Sequence, residues 1–145
     1  MFEDKVREYR ALAGPSGVFC FRWDGKAPFK SSSKDAVQKG IYGIYIFSSI
    51  RNGLCVYIGK GGTLKQDGAM KEQDVITRLN NRKRRRKRRR SAEDVYREWL
   101  AKYGPMRIEV ISTWHAQKAP GFAEADLLQA HLETKGTLPA ENSSL

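Results

Sequence analysis

The stretch GIYGIYIFSSIRNGLCVYIGKGG occupies residues 40–62 and decides the fold prediction. Residues 41–47 are a run of β-branched and aromatic residues interrupted by one glycine, and residues 54–58 form a second such run. Both compositions are typical of β-strands. Asn52-Gly53 lies between the runs and is a turn signal of the kind that joins two antiparallel strands. The stretch therefore predicts a β-hairpin.

Each predicted strand carries a short triplet of glycine, isoleucine and tyrosine. The first is Gly40-Ile41-Tyr42 and the second is Tyr57-Ile58-Gly59. With both triplets on adjacent strands, the chain resembles the GIY-YIG nuclease family over about residues 40–142. The resemblance implies an α+β fold, with a small antiparallel sheet of about three strands flanked by helices, in a domain of residues 40–145. Residues 1–39 fall outside the resemblance, and we expect them to be an N-terminal extension packed on that core.

The spacing of Tyr42 and Tyr57 suggests a shared site. Side chains alternate along a strand, so Tyr42 lies on the same face as Ile44 and Ile46. Pairing Tyr42 directly opposite Tyr57 would put both tyrosines on one face, with a loop that begins near Ser48. The alternative is that both are ordinary strand aromatics at half-buried positions. The flanking glycines favour the shared site.

Hydrophobic periodicity and capping signals predict the other elements of the chain. In chain order we expect a helix over Phe2–Ala13, a strand over Val18–Trp23, a serine-rich loop over residues 28–34, a helix from about Glu72, a helix capped by Ser91, a strand over residues 106–113 and a last helix to Thr134, closed by Gly136. This order of elements after the hairpin is the one that the family resemblance implies.

The formal net charge of +11 over 145 residues is typical of a nucleic-acid binder. Most of it comes from nine consecutive residues, called the basic run below: Arg82, Lys83, Arg84, Arg85, Arg86, Lys87, Arg88, Arg89 and Arg90. Without them, 18 basic residues face 16 acidic ones. We expect the basic run to contact DNA phosphates without reading bases. The alternatives are a solvated charge run, a non-specific counterion sponge or a nuclear localisation signal.

The cysteines and the apolar residues bear on the compartment. Cys20 and Cys55 are isolated and show neither disulfide nor metal-ligand spacing. No apolar run reaches transmembrane length, and the first residues lack the features of a signal peptide. We therefore expect an intracellular protein without a membrane partner. In a bacterium or phage it would be cytoplasmic, and in a eukaryote a nuclear location is also an option.

Glu124 is the candidate metal ligand in the last helix. On a helical wheel centred on Glu124, the apolar residues Leu127, Leu128 and Leu132 lie within about 80° of it, and so does His131. A carboxylate inside an apolar arc needs a partner, either an arginine or a metal. The alternative is an exposed glutamate near the helix N-terminus, stabilised by the helix dipole. In the GIY-YIG family a glutamate at this place binds the single divalent metal, so the resemblance implies Mg²⁺ or Mn²⁺ on Glu124.

The resemblance implies roles for further residues. Arg78 would contact the scissile phosphate, a task suited to a planar group that stays charged. Asn142 would close the site from the C-terminal tail. Tyr57 or Tyr42 would orient or deprotonate the attacking water, and the choice between them stays open. Lys60 directly follows the second triplet and is placed to reach a phosphate.

Taken together, these catalytic candidates (Tyr42, Tyr57, Arg78, Glu124 and Asn142) predict an endonuclease that hydrolyses DNA, with double-stranded DNA as the expected partner and one metal per active site. One site cuts one strand per encounter, so a double-strand break requires a homodimer or two nicks. The alternatives are a non-catalytic nucleic-acid-binding module on the same fold and an RNA-cleaving nuclease. The two histidines match no family position, and we expect His131 to be a helix-face residue near the site.

Overall fold

The computed structural model describes residues 1–81 and 91–145. The helices are α1 (Phe2–Ala13), α2 (Phe29–Ala36), α3 (Val75–Asn80), α4 (Ala92–Tyr103) and α5 (Pro120–Lys135). The strands are β1 (Val18–Trp23), β2 (Gly43–Ser49), β3 (Cys55–Gly61), β4 (Thr63–Leu64), β5 (Met70–Lys71) and β6 (Met106–Ile111). The basic run lies outside the described residues, so its contact with DNA stays a prediction. Among the helices described, none combines the length and the apolar character needed to cross a membrane.

Four strands form one antiparallel sheet in the order β1–β6–β2–β3, and β4 pairs with β5 in a separate ribbon. The predicted hairpin is confirmed as β2 and β3. The strand predicted over residues 106–113 is confirmed as β6, which pairs with both β1 and β2. The α+β class is therefore confirmed. Residues 1–39 contribute β1 to this sheet, which brings the number of its strands from the expected three or so to four.

The register of the hairpin differs from the prediction. Tyr57 pairs with Phe47, and Tyr42 precedes β2. The expected pairing of Tyr42 with Tyr57 is therefore wrong. The reason is the position of the turn: it centres on Asn52-Gly53, where the Asn52 side chain accepts a hydrogen bond from the Leu54 N–H at 3.0 Å. A loop beginning near residue 48 would have placed the turn earlier in the chain.

The two faces of the sheet have separate cores, as expected when side chains alternate along strands. On one face Tyr45 and Phe47 pack with α2, α3 and α4. On the other face Ile44, Ile46 and Ile58 pack with α1 and α5. Helices α3 and α5 both contact β3, so their residues meet around the edge of the sheet that β3 forms.

One predicted loop is a helix. Residues 28–34 were expected to form a polar, serine-rich loop, but α2 begins there at Phe29. Phe29 is 1% exposed, and its ring lies 4.5 Å from that of Tyr96 and 5.3 Å from that of Trp23, measured between centroids. Burial of this aromatic residue outweighs the local preference of serine for turns.

The other helix boundaries follow from their caps. Helix α3 begins at Val75, later than the predicted Glu72, because the Asp74 carboxylate accepts a hydrogen bond from the Thr77 N–H at 2.9 Å and caps the helix there. Ser91 caps α4 as predicted, in a reciprocal capping box with Asp94. The predicted end of the last helix is confirmed at Gly136, which has the left-handed backbone common after helices.

The C-terminal tail covers part of the free edge of β3. The Glu141 N–H donates to the Val56 carbonyl at 2.8 Å. The Asn142 side chain accepts from the Ile58 N–H at 2.9 Å and donates to the Ile58 carbonyl at 3.0 Å. A covered edge is protected from pairing with other chains. The end of β3, beyond Ile58, borders the cavity described next.

Candidate active site

A cavity of about 450 Å³ lies beside the end of β3. Residues from both faces of the sheet line it, because it bends around the edge strand. The lining residues are Tyr45, Tyr57, Lys60, Gly62, Thr63, Glu72, Gln73, Arg78 and Glu124. The structure thus brings together Tyr57, Arg78 and Glu124 of the predicted catalytic set, together with Lys60.

Tyr45 is the tyrosine that lies beside Tyr57 in this cavity. It pairs with Gly59 across the hairpin, and the Tyr45 and Tyr57 ring centroids are 6.2 Å apart. A β-carbon added at Gly59 would lie 2.5 Å from the Tyr45 hydroxyl oxygen, so the close approach of this ring requires glycine there. Tyr45 is 1% exposed, whereas Tyr57 is half-buried. Tyr57 is therefore the more accessible of the two rings.

Tyr42 occupies a neighbouring position and does not line the cavity. A β-carbon added at Gly62 would lie 2.7 Å from Cδ1 of Tyr42, so the Tyr42 ring covers Gly62 at the cavity wall. The Tyr42 carbonyl accepts a hydrogen bond from the Trp114 N–H at 3.2 Å.

Sequence reasoning missed Tyr45, although the signal was present: Gly43-Ile44-Tyr45 repeats the first triplet three residues later. The repeat, and not the first copy, lies in β2.

Arg78 reaches the cavity from α3, whose start is fixed by Asp74. One oxygen of the Asp74 carboxylate accepts from the Thr77 N–H at 2.9 Å, and the other accepts from the Gly40 N–H at 2.7 Å. The Val75 N–H also donates to the Ile41 carbonyl at 2.9 Å. These bonds join α3 to the segment before β2. They hold the helix that carries Arg78 against the sheet.

Glu124 reaches the cavity from the other face, one turn into α5. It is half-buried, and it lies beyond the first helical turn, so the alternative of an exposed capping glutamate is wrong. Burial raises the pKa of Glu124, while the charges of Lys60 and Arg78 oppose that rise. Among the described residues Glu124 forms no ion pair within 4.0 Å. Its carboxylate is thus partly desolvated without a direct neutralising contact in those parts of the chain.

Lys60 belongs to β3, and its side chain extends toward the first turn of α5. Its ammonium group donates to the Gly62 carbonyl at 3.4 Å. A β-carbon added at Gly121 would lie 4.0 Å from Cδ of Lys60, so the lysine stem passes close to the start of α5. Lys60 is half-buried, and its stem is held on both sides while its charge faces the cavity.

The acidic residues of the cavity suit one kind of metal. No group of three or more His, Cys, Asp or Glu side chains that could hold a metal occurs in residues 1–81 and 91–145. Mg²⁺, however, keeps several waters and is bound through one or two carboxylates together with substrate phosphate oxygens. Glu124 supplies one carboxylate, and Glu72, which also pairs with Lys65 at 3.0 Å, lines the same cavity. These residues fit a single Mg²⁺ or Mn²⁺ completed by water and phosphate.

Asn142 does not line the cavity. Both polar atoms of its side chain bond the backbone of Ile58, the residue between Tyr57 and Gly59. The structure therefore places Asn142 where it fixes the strand that carries Tyr57. A direct role in catalysis stays a prediction.

Both histidines lie outside the cavity. His131 is buried against Phe2, with 5.0 Å between ring centroids, and its Nδ1 lies 2.6 Å from the Thr137 carbonyl oxygen. His131 does not border the cavity: it shares a face of α5 with Glu124 but lies two helical turns further along the helix, where it packs against Phe2. His115 is exposed in the turn at Trp114–Ala116. Leu132, expected in the apolar arc, is 40% exposed.

Comparisons of the chain with family models, with curated proteins and with solved structures find no match. The features that bear on function are therefore the residues of the cavity and the two triplets.

Proposed function

We propose that this chain is a divalent-metal-dependent endonuclease that hydrolyses DNA phosphodiester bonds in the cavity beside β3, as its resemblance to the GIY-YIG nucleases implies. One observation carries the proposal. Glu124 shares a single cavity with Tyr57, Lys60 and Arg78, although Glu124 and Arg78 come from helices on opposite faces of the sheet and the other two residues come from β3. Packing alone gives no reason for a carboxylate, two cations and a tyrosine to converge there.

The charges of the cavity suit a phosphodiester substrate. Lys60 and Arg78 both act on Glu124 electrostatically, yet neither forms an ion pair with it within 4.0 Å among the described residues. A phosphate group entering the cavity would be attracted by both cations. A divalent cation would in turn relieve the unfavourable desolvation of Glu124. The substrate would therefore bind more tightly when the metal is present, and the metal more tightly when the substrate is present.

Each residue then has a definite task in hydrolysis. Arg78 would bind the phosphate oxygens through its planar fork, and Lys60 would add a second positive charge. Tyr57, the more accessible tyrosine, would orient the attacking water, with the buried Tyr45 fixing its ring. Glu124 would hold the metal. The chemistry that Mg²⁺ or Mn²⁺ supplies when bound there is stabilisation of negative charge on the leaving oxygen.

Metal dependence on several substrates tests the proposal. Purified protein is incubated with supercoiled plasmid, with linear duplex DNA and with a structured RNA, in Mg²⁺, in Mn²⁺ and in excess chelator. The proposal expects nicking of DNA in either metal and none in chelator. Cleavage of RNA alone would favour the RNA-nuclease alternative. Tight DNA binding without cleavage under any of these conditions would favour the non-catalytic module and refute the proposal.

A further inference from the structure

Phe122 is the one exposed residue among the phenylalanines, tyrosines and tryptophans of this chain. All 15 aromatic side chains lie in the described parts, and the other 14 are buried or half-buried. Phe122 is 58% exposed. Single exposed apolar residues are common and by themselves indicate nothing. The position of Phe122 is what gives it meaning.

Phe122 lies in the first turn of α5, close along the helix to the candidate active site. It follows Gly121, whose added β-carbon would lie 4.0 Å from the Lys60 side chain, and it precedes Glu124 by two residues. The ammonium group of Lys118 lies 5.9 Å from the centroid of the Phe122 ring. No described residue forms an ion pair with Lys118. An aromatic face and a cation are thus presented together to solvent beside the cavity.

Helix geometry separates the ring from the cavity interior. Side chains two residues apart point about 200° apart around the helix axis, and the helix is roughly 10 Å in diameter. Phe122 therefore faces away from Glu124 and cannot contact a group bound at the carboxylate. With about 3.4 Å of axial rise per nucleotide in a strand, a base a few nucleotides from the scissile phosphate would reach the ring.

We propose that Phe122 stacks on an unpaired nucleobase, with Lys118 beside the adjoining phosphate, so that the preferred substrate is DNA with unpaired nucleotides a short distance from the cleaved bond. This inference rests on the proposed nuclease function and names its substrate class. In an intact duplex both faces of each base are occupied by neighbouring bases. An exposed flat ring therefore gains a stacking contact only with an unpaired base, and that contact is tolerant of sequence.

Binding measurements in excess chelator test this inference separately from cleavage. Three labelled DNAs share one sequence: a perfect duplex, the same duplex with a single-stranded flap, and the single strand alone. The proteins are wild type, Phe122→Ala, Phe122→Trp and the control Leu132→Ala, which alters an exposed side chain of the same helix. A fluorescent base analogue in the flap reports stacking directly through quenching.

We expect wild type and Phe122→Trp to bind the flap and the single strand more tightly than the duplex. Phe122→Ala should lose about 5- to 150-fold of its affinity for DNA with unpaired bases, the range for one stacked base. Its duplex affinity and the behaviour of Leu132→Ala should be unchanged, and the quenching should disappear in Phe122→Ala only.

Three results would overturn the inference. Equal loss on duplex and flap would indicate a wedge between paired bases. Wild-type binding of all three DNAs by Phe122→Ala would show that the ring does not touch DNA. A change in oligomeric state on replacing Phe122, without DNA, would indicate a protein interface. Stacking without metal-dependent cleavage would instead refute only the nuclease proposal, because these measurements need no cleavage.

Discussion

Replacing Asp74 by Ala should destabilise the protein and weaken cleavage together. The Asp74 carboxylate accepts hydrogen bonds from the Thr77 N–H and the Gly40 N–H, and so joins the start of α3 to the chain before β2. Loss of a helix cap costs about 0.5–2 kcal/mol. Loss of a hydrogen bond to a charged group costs about 1.5–3 kcal/mol. Because Asp74 is half-buried, we expect a decrease of about 2–4 kcal/mol in the free energy of unfolding.

Two other variants separate the parts of this effect. Asp74→Asn keeps a side-chain oxygen for the Thr77 cap and removes the charge, so it should cost about 1 kcal/mol. Asp24→Ala is the matched control, because the exposed Asp24 also accepts a backbone hydrogen bond, from the Lys26 N–H at 3.0 Å. It should stay within about 0.5 kcal/mol of wild type.

The contribution of Asp74 also has a pH signature. Burial raises the pKa of Asp74, but hydrogen bonds from Thr77 and Gly40 and the charge of Lys39 outweigh it, so the pKa lies below its ordinary value. A carboxyl with a lowered folded-state pKa stabilises the protein above its unfolded pKa, about 3.9. That stabilisation is lost as the pH falls through the folded-state pKa. The difference between wild type and Asp74→Asn should therefore be constant above about pH 5 and shrink in more acidic solution.

Urea unfolding followed by tryptophan fluorescence measures the free energies, and nicking of plasmid under single-turnover conditions measures cleavage. Arg78 is carried on the helix that Asp74 caps, so a loosened start of α3 should also slow cleavage, by about tenfold or more. If Asp74→Ala has the same free energy of unfolding as Asp24→Ala and cuts at the wild-type rate, the hydrogen bonds that join α3 to the segment before β2 contribute to neither stability nor activity. That result would refute the prediction.

Three further predictions concern the tyrosines, the tail and the basic run. Tyr57→Phe should slow cleavage by about 100-fold or more with the fold intact, and Tyr42→Phe should have a smaller effect; equal wild-type rates would make both tyrosines structural. Asn142→Ala should lower the free energy of unfolding by about 1–2 kcal/mol, because it removes both bonds to Ile58; an unchanged urea midpoint would contradict this. Neutralising residues 82–90 should weaken binding of all DNA sequences alike and, if about five of these residues contact phosphates, change the slope of log K against log salt by about 4 to 5; an unchanged slope would show that the run does not touch DNA.

Turn and capping residues correctly predicted the helix and hairpin boundaries that they determine. The Asn52-Gly53 turn between two β-rich runs predicted the hairpin, and the box of Ser91 with Asp94 predicted the start of α4. Gly136 predicted the end of α5. In each case the deciding interactions lie within a few residues of chain, so composition and spacing contain them.

Features that depend on contacts between distant parts of the chain could not be predicted from local sequence patterns. Helix α2 forms because Phe29 is buried among rings from α4 and β1, which no local pattern reveals. The hairpin register is a separate case: the local Asn52-Gly53 turn determines it, and a shift in register changes which tyrosine faces Tyr57. Tyr42 was chosen from the triplet Gly40-Ile41-Tyr42, whereas Tyr45, in the triplet that directly follows it, lines the cavity. Arg78 and Glu124 were chosen by resemblance, and their proximity emerges only from packing around the edge of β3.

Removing the charge of Glu124 has a consequence for stability as well as activity. Burial raises the pKa of this carboxyl, with Lys60 and Arg78 opposing the rise. A carboxyl with a raised folded-state pKa destabilises the folded protein as the pH rises through its unfolded pKa, about 4.3. Without metal, Glu124→Gln should therefore be at least as stable as wild type near neutral pH, and its advantage should vanish in acid. A large loss of stability would identify Glu124 as a structural ion-pair partner.

The rate of plasmid nicking by Glu124→Gln in Mg²⁺ tests the proposed site most directly. The exposed Glu133 of the same helix provides the control Glu133→Gln. Metal stabilisation of the transition state is worth several kcal/mol, and each 1.4 kcal/mol is tenfold, so Glu124→Gln should cut about 1,000-fold more slowly. It should still bind DNA in chelator, and Glu133→Gln should cut like wild type. Cleavage by Glu124→Gln at the wild-type rate would show that the metal site lies elsewhere.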